Sequence, residues 1–297
     1  MKELVILSGK GGTGKTSLTA AFAGLAQNMM LCDADVDAAD LHLVMAPEIR
    51  ETHDFVGGHE AVINPEKCTA CCQCLEVCRF NAVTETENGC IIDNLDCEGC
   101  GVCVDLCPEH AIDFPRKTCG QWFTSTTRFG TMIHARLGIA EENSGRLVAL
   151  VREEARKRMT SEHQDLLITD GPPGIGCPVI AAMGQATAVL IVVEPTVSGI
   201  HDMERVADLA AHFKLPAMVC INKYDLNPDQ AQAIETIVRE RNLELVGTIP
   251  FDPAFTRAMI QGKSLIEAGE DLPAAHAVKA VWEKVSASAA MKTDRLC

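Results

Sequence analysis

Two stretches of this 297-residue chain place reactive groups at spacings that chance rarely supplies. The first, Gly9-Lys10-Gly11-Gly12-Thr13-Gly14-Lys15-Thr16-Ser17, has the form of a phosphate-binding loop. Its glycines let backbone N–H groups converge on an anion, Lys15 reaches the β- and γ-phosphates of a nucleotide, and the Thr16 hydroxyl can ligate Mg²⁺. The second is a doubled cysteine run, Cys68-x2-Cys71-x2-Cys74-x3-Cys78 and Cys97-x2-Cys100-x2-Cys103-x3-Cys107-Pro108. In runs of this spacing three thiolates wrap three corners of a [4Fe–4S] cubane and the fourth ligates the other cluster. One cluster would take Cys68, Cys71, Cys74 and Cys107, the other Cys97, Cys100, Cys103 and Cys78. Zinc is the competing ligand, but structural zinc sites use two well-separated pairs. Arg79 stands where proline would follow Cys78, and Cys72 is a surplus thiol, either a bystander or an alternative ligand.

These groups need elements to hold them. Leu4-Val5-Ile6-Leu7 reads as a strand entering the loop, and Leu18, Phe22 and Leu25 give the following segment, Ser17 to Gln27, a helical face. Met29 to Asp33 reads as a second strand ending in acids Asp33, Asp35 and Asp37, the last of which, with Asp40, reads as a cap of the next helix. Leu166 to Asp170, followed by Gly171-Pro172-Pro173-Gly174, puts another acid where a parallel strand beside the loop can hold Mg²⁺. Ala188–Val193 and Ala217–Ile221 are apolar runs of the fully buried parallel type, each followed by a helical pattern. A hairpin turning near Gly130 and a helix from Asn143 are expected in the mixed stretch from Lys117, where His134 and Cys119 read as packing residues. The last strand, Leu245 to Pro250, leads into a loop to Pro253 that would complete a base pocket. An amphipathic helix through Trp282 packs on the sheet.

The Lys10-Gly11-Gly12-x-Gly14-Lys15-Thr16 form, with Asp35 and the Asp170-Gly171 segment, resembles the deviant Walker A ATPases of the MinD, Mrp and nitrogenase-iron-protein class. The resemblance implies a doubly wound, mostly parallel α/β sheet with an inserted bacterial-ferredoxin-like α+β domain. It implies a dimer, either homodimer or heterodimer with a related ATPase, in which Lys10 reaches the partner's nucleotide. Asp35 would position the attacking water, Lys10 and Lys15 would stabilise charge, and Thr16 and Asp170 would hold Mg²⁺. Asn222-Lys223-Tyr224-Asp225 matches the guanine-reading NKxD pattern, whereas in the resembled class an Asn here contacts adenine; Lys10 favours ATP, with Asn222 and Pro250 at the base. Cys177 has two readings, a small buried residue or a thiol meeting its mate at a dimer axis.

Domain boundaries follow the cysteines: 1–58 and 116–297 form the ATPase and 59–115 the insert. A formal net charge of −15 disfavours a nucleic-acid partner and counts against the DNA-partitioning relatives of the class. No apolar run approaches the ~20 residues of a membrane span. Fifteen cysteines without a signal-type leader read as a reducing, cytoplasmic setting in which thiols are metal ligands. The expected activity is slow ATP hydrolysis by a nucleotide switch that assembles or delivers a metal–sulfur cofactor to a client protein. The alternatives are an ATP-gated reductase with a redox partner, and a positioning or scaffold ATPase.

Overall fold

The computed structural model describes residues 1–87, 89–138 and 143–292. The end of the mixed stretch, 139–142, lies outside the described residues. The elements, in chain order, are β1 (Lys2–Ser8), α1 (Lys15–Leu25), β2 (Met29–Asp33), α2 (Leu41–Met45), β3 (Glu48–His59) and β4 (Val62–Ile63). There follow α3 (Gln73–Val77), β5 (Val83–Thr86), β6 (Gly89–Ile92), α4 (Val102–Asp105), β7 (Ile112–Asp113), β8 (Arg116–Thr127) and β9 (Gly130–Leu137). The remainder comprises α5 (Ser144–Ser161), β10 (Leu166–Pro173), α6 (Cys177–Met183), β11 (Ala188–Val193), α7 (Val197–His212) and β12 (Ala217–Asn222). The chain closes with α8 (Pro228–Glu240), β13 (Glu244–Ile249), α9 (Ala254–Ile260), α10 (Leu265–Ala268) and α11 (Pro273–Ala287).

Nine strands form one sheet in the order β13-β12-β11-β1-β10-β2-β9-β8-β3. Strand β1 pairs in parallel with both β10 and β11, and β2, β9, β12 and β13 continue the parallel pairing outward. The sequence dictates this: Leu4 to Leu7 and Ala188 to Val192 are fully buried without alternation, because both faces of a parallel sheet are covered by helices. On α1, Leu18 and Phe22 are buried as expected and Leu25 is half-buried, and Phe22 meets Trp282 of α11 at a ring-centroid distance of 4.9 Å. Truncating Phe22 to Ala would cost about 3–5 kcal/mol.

The chain divides into two compact units. The first holds Met1–Thr52, Trp122–Arg136 and Ser144–Cys297; the second holds His53–Gln121 and Leu137–Asn143, wider than the expected 59–115 because parts of β3 and β8 belong to it. Within the second unit a strand, a run of cysteines opening a short helix and a second strand occur twice. Strand β4 pairs with β7 and β5 with β6, both antiparallel, so the outer and inner strands of the two halves are matched. The expected turn near Gly130 joins β8 to β9 through Arg128 and Phe129, where the Thr127 hydroxyl donates to the Gly130 carbonyl at 2.8 Å.

Candidate functional site

The loop after β1 is built by two close approaches. Gly14 has φ 91° and caps α1, and a Cβ there would strike the Asn222 side chain; a Cβ on Gly9 would strike Asp202. Both positions therefore require glycine. Lys15, opening α1, is only 6% exposed, and its Nζ lies 3.4 Å from Asp35 Oδ2. The Thr16 hydroxyl donates to Asp170 Oδ2 at 2.7 Å and Thr19 to Asp170 Oδ1 at 3.2 Å. Thr16 and Asp170 are thus side by side, as a pair sharing one hard cation must be.

Asp170 lies within the buried part of β10, in register with Asp33 on β2. Burial, and then the Asp170 charge, holds the Asp33 carboxyl well above the usual carboxylate range. Burial likewise raises Asp170, against the opposing pull of Lys15 and the two threonine hydroxyls. Asp35 is pushed up to about 6, mainly by burial, with Lys15 working the other way and Asp170 adding to the rise. Three acids crowded around one lysine await more positive charge than the protein supplies. Asp33 is a scaffold residue: its Oδ1 accepts the Asp35 N–H at 3.1 Å and its Oδ2 the Leu41 N–H at 3.3 Å. Capping of α2 was expected from Asp37 and Asp40; Asp40 sits at the cap position but its side chain makes no cap bond, and Asp33 reaches the helix instead.

A groove of about 300 Å³ opens from this point, lined by Gly12, Lys15, Thr16, Asn222, Pro250 and Phe255 among others. That is the size of a small-ligand cleft. Asn222, 7% exposed, donates from Nδ2 to the Thr13 carbonyl at 2.7 Å. The Thr13 hydroxyl is buried and has no hydrogen-bond partner among the described residues, so a polar atom faces the loop with nothing to satisfy it. Asp225 is not presented to a base: its Oδ1 accepts the Phe251 N–H at 2.6 Å and fastens the loop after β13. Lys10 is not among the groove-lining residues; its Nζ lies 3.4 Å from Ser198 Oγ at the start of α7. Lys223 was missed by sequence reasoning: it donates to the Gly12 carbonyl at 3.2 Å and pairs with Glu194, bracing the loop from the β11 side. No periodicity marks such a pair in advance.

The family model of the CobQ/CobB/MinD/ParA nucleotide-binding domain matches residues 4–266. The chain belongs to that family. It is similar to an ATP-binding protein of Methanocaldococcus jannaschii, 24% identical over 288 residues that cover 95% of this chain and 86% of that one. A stretch of 57 residues, 19% of this chain and 9% of the relative, is 37% identical to the indolepyruvate oxidoreductase subunit IorA of Methanothermobacter marburgensis. The septum site-determining protein MinD of Pyrococcus horikoshii, solved with Mg-ADP, has the same fold, with a TM-score of 0.58 at 18% identity over 99% of both chains. This member of the CobQ/CobB/MinD/ParA family is a P-loop ATPase that binds ATP.

In the second unit of this family member, one cavity is lined by Cys68, Cys71, Cys74 and Cys107, together with Cys72 and Cys90. Cys107 Sγ accepts the Ala111 N–H at 3.3 Å. The Cys103 thiol is raised by burial and then by its neighbours Cys97, Cys100 and Cys78. The fourth cysteine of each run therefore lies with the first three of the other. None of the described cysteines is in a disulfide, and among the described residues no three His, Cys, Asp or Glu side chains converge on a point that could hold a single metal ion. Cys90, buried on β6, was overlooked in the sequence because it belongs to neither run. Cys177 is exposed at the first position of α6, which excludes the buried reading. Cys119 is buried, and His134 stacks on Phe123 and bonds Ser125 at 2.8 Å; both pack, as expected.

Proposed function

We propose that this ATPase carries two [4Fe–4S] clusters in its cysteine-rich unit and uses its nucleotide cycle to assemble or deliver a metal–sulfur cofactor to a client protein. The observation that carries the reading is the single cavity walled by Cys68, Cys71, Cys74 and Cys107, three thiols of one run and the last of the other. Their donor set fits a cubane: four soft sulfurs spread around a space, not gathered on a point. Cys97, Cys100, Cys103 and Cys78 would hold the second cluster. When bound, the clusters supply one-electron chemistry or iron and sulfide.

In the ATPase unit each residue has a role in phosphoryl transfer. Lys15 donates to the β- and γ-phosphates, and Thr16 and Asp170 would hold Mg²⁺, which supplies charge stabilisation at the phosphates. Asp35 orients the attacking water and accepts its hydrogen bond, 3.4 Å from the Lys15 ammonium. Asn222 and Pro250 flank the adenine. Lys10, held outward by Ser198, completes the site of the other subunit in a dimer. Because turnover in such a site is slow, the nucleotide acts as a switch.

A second reading, an ATP-gated electron donor to a redox partner, is favoured by the 57-residue likeness to an oxidoreductase subunit. One experiment separates them. Protein labelled with ⁵⁷Fe is incubated anaerobically with MgATP and an iron-free ferredoxin as acceptor, and in parallel, reduced, with a low-potential viologen dye. Movement of label to the acceptor on hydrolysis supports delivery. ATP-dependent dye reduction with all label retained supports the electron donor and overturns delivery.

A further inference from the structure

The cluster cavity contains two thiols more than its cluster requires. Cys72 and Cys90 line it beside the quartet Cys68, Cys71, Cys74 and Cys107, and their sulfurs lie 3.5 Å apart, Cys90 donating to Cys72. We propose that Cys72 and Cys90 form a redox-active dithiol that closes to a disulfide beside the cluster while the cluster's own ligands stay in place. The proposal rests on the assignment of the quartet made above.

Three observations lead there. The two residues come from different elements, Cys72 capping α3 with φ 57° and Cys90 on β6, so a bond between them is a real cross-link across the cavity wall. Closing 3.5 Å to a bonded S–S distance needs a movement of about 1.5 Å, within reach of side-chain rotation. The two thiols differ in access: Cys90 is 5% exposed, whereas Cys72 is half-buried and open to a reagent from solvent. Cys72 is therefore the attacking sulfur and Cys90 the resolving one.

The oxidant is a low-molecular-weight disulfide. Cys72 releases its proton to water and its thiolate attacks one sulfur of glutathione disulfide, whose S–S bond breaks to expel one glutathione. Cys90 then loses its proton, attacks the Cys72 sulfur, forms the Cys72–Cys90 bond and expels the second glutathione. Two electrons pass from the pair to glutathione and two protons pass through solvent. The product ties the start of α3, which follows cluster ligand Cys71 directly, to β6. That tie holds the ligand loop shut.

The test uses anaerobically purified, iron-loaded protein equilibrated in glutathione buffers of rising oxidised fraction, with differential alkylation and iron counting. The expected result is the loss of two alkylatable thiols, assigned to Cys72 and Cys90, with no loss of iron; Cys72→Ser abolishes the loss, Cys90→Ser loses one thiol as a Cys72–glutathione mixed disulfide, and both keep the iron. Oxidation that leaves both thiols free, or a Cys72→Ser or Cys90→Ser protein that loses a cluster's worth of iron, overturns the proposal. Iron-free wild-type protein speaks against the cluster assignment, and the alkylation pattern of Cys72 and Cys90 then decides the pair by itself.

Discussion

Asp225 Oδ1 accepts the Phe251 backbone N–H at 2.6 Å, so the acid of the Asn-Lys-x-Asp pattern is spent on a loop and not offered to guanine. Its partner Asn222 is likewise committed to the phosphate-binding loop through the Thr13 carbonyl. Replacing Asp225 with Ala therefore loosens the base loop. ATP affinity should fall about 10–100-fold, the worth of one charged hydrogen bond, while the preference for ATP over GTP is unchanged in competition binding. A wild-type preference for GTP that disappears in the variant would show the opposite.

The Thr16 hydroxyl donates to the Asp170 carboxylate at 2.7 Å, and in the proposed function the two would hold one cation. Asp170→Asn removes its charge and keeps its shape. Turnover should drop at least about 100-fold, several kcal/mol of metal-dependent stabilisation. Stimulation by Mg²⁺ should vanish, and nucleotide binding without Mg²⁺ should survive, as read by a fluorescent ATP analogue.

In the proposed function Asp35 would set the acid limb of the activity. With its carboxyl pushed up to about 6 by burial, the ionised form needed to hold water is lost as pH falls through that value, and kcat should fall with it. Stability moves the other way. The folded state holds this proton more tightly than the unfolded chain, so the group's contribution is fully present below about 4 and is lost as pH rises through about 6. Asp35→Asn should accordingly raise Tm at pH 8 while abolishing hydrolysis; a lowered Tm would mean that the Lys15 pair outweighs the burial cost.

Far from the phosphates, Glu3 on β1 is 4% exposed and holds two arginines of α5, Arg152 Nε at 2.8 Å and Arg156 Nε at 2.8 Å. Thr169 on β10 is a third partner at 3.0 Å, and the two guanidiniums continue to the Ala181 and Gly184 carbonyls of α6 and its end. Glu3→Gln leaves buried cations short of their counter-charge, a loss of about 3–5 kcal/mol. Calorimetry should show Tm falling by roughly ten degrees, with ATP affinity changed far less.

The sheet and the phosphate loop were readable in the sequence because apolar runs and glycine spacing are local. Leu4 to Leu7, Ala188 to Val193 and Ala217 to Ile221 each declare a buried parallel strand without reference to any other residue. What sequence did not reveal depends on chain folding. Cys90 lies outside both cysteine runs and meets Cys72 only because β6 pairs with β5 behind α3. The Lys223–Glu194 brace joins loops after different strands, and Glu3 finds its arginines about 150 positions away. The expected helix caps Asp37 and Asp40 failed for a related reason: Asp33, at the end of β2, is carried to the Leu41 N–H by the turn between them.

The most direct test is the count of iron and acid-labile sulfide per chain in protein purified without oxygen, wild type beside Cys74→Ser. Two cubanes predict about eight iron and eight sulfide per chain, falling to about four of each when Cys74 is replaced, with the other cluster's electron paramagnetic resonance signal preserved. Wild-type protein that carries zinc in place of iron, or an iron content indifferent to Cys74, would contradict the account.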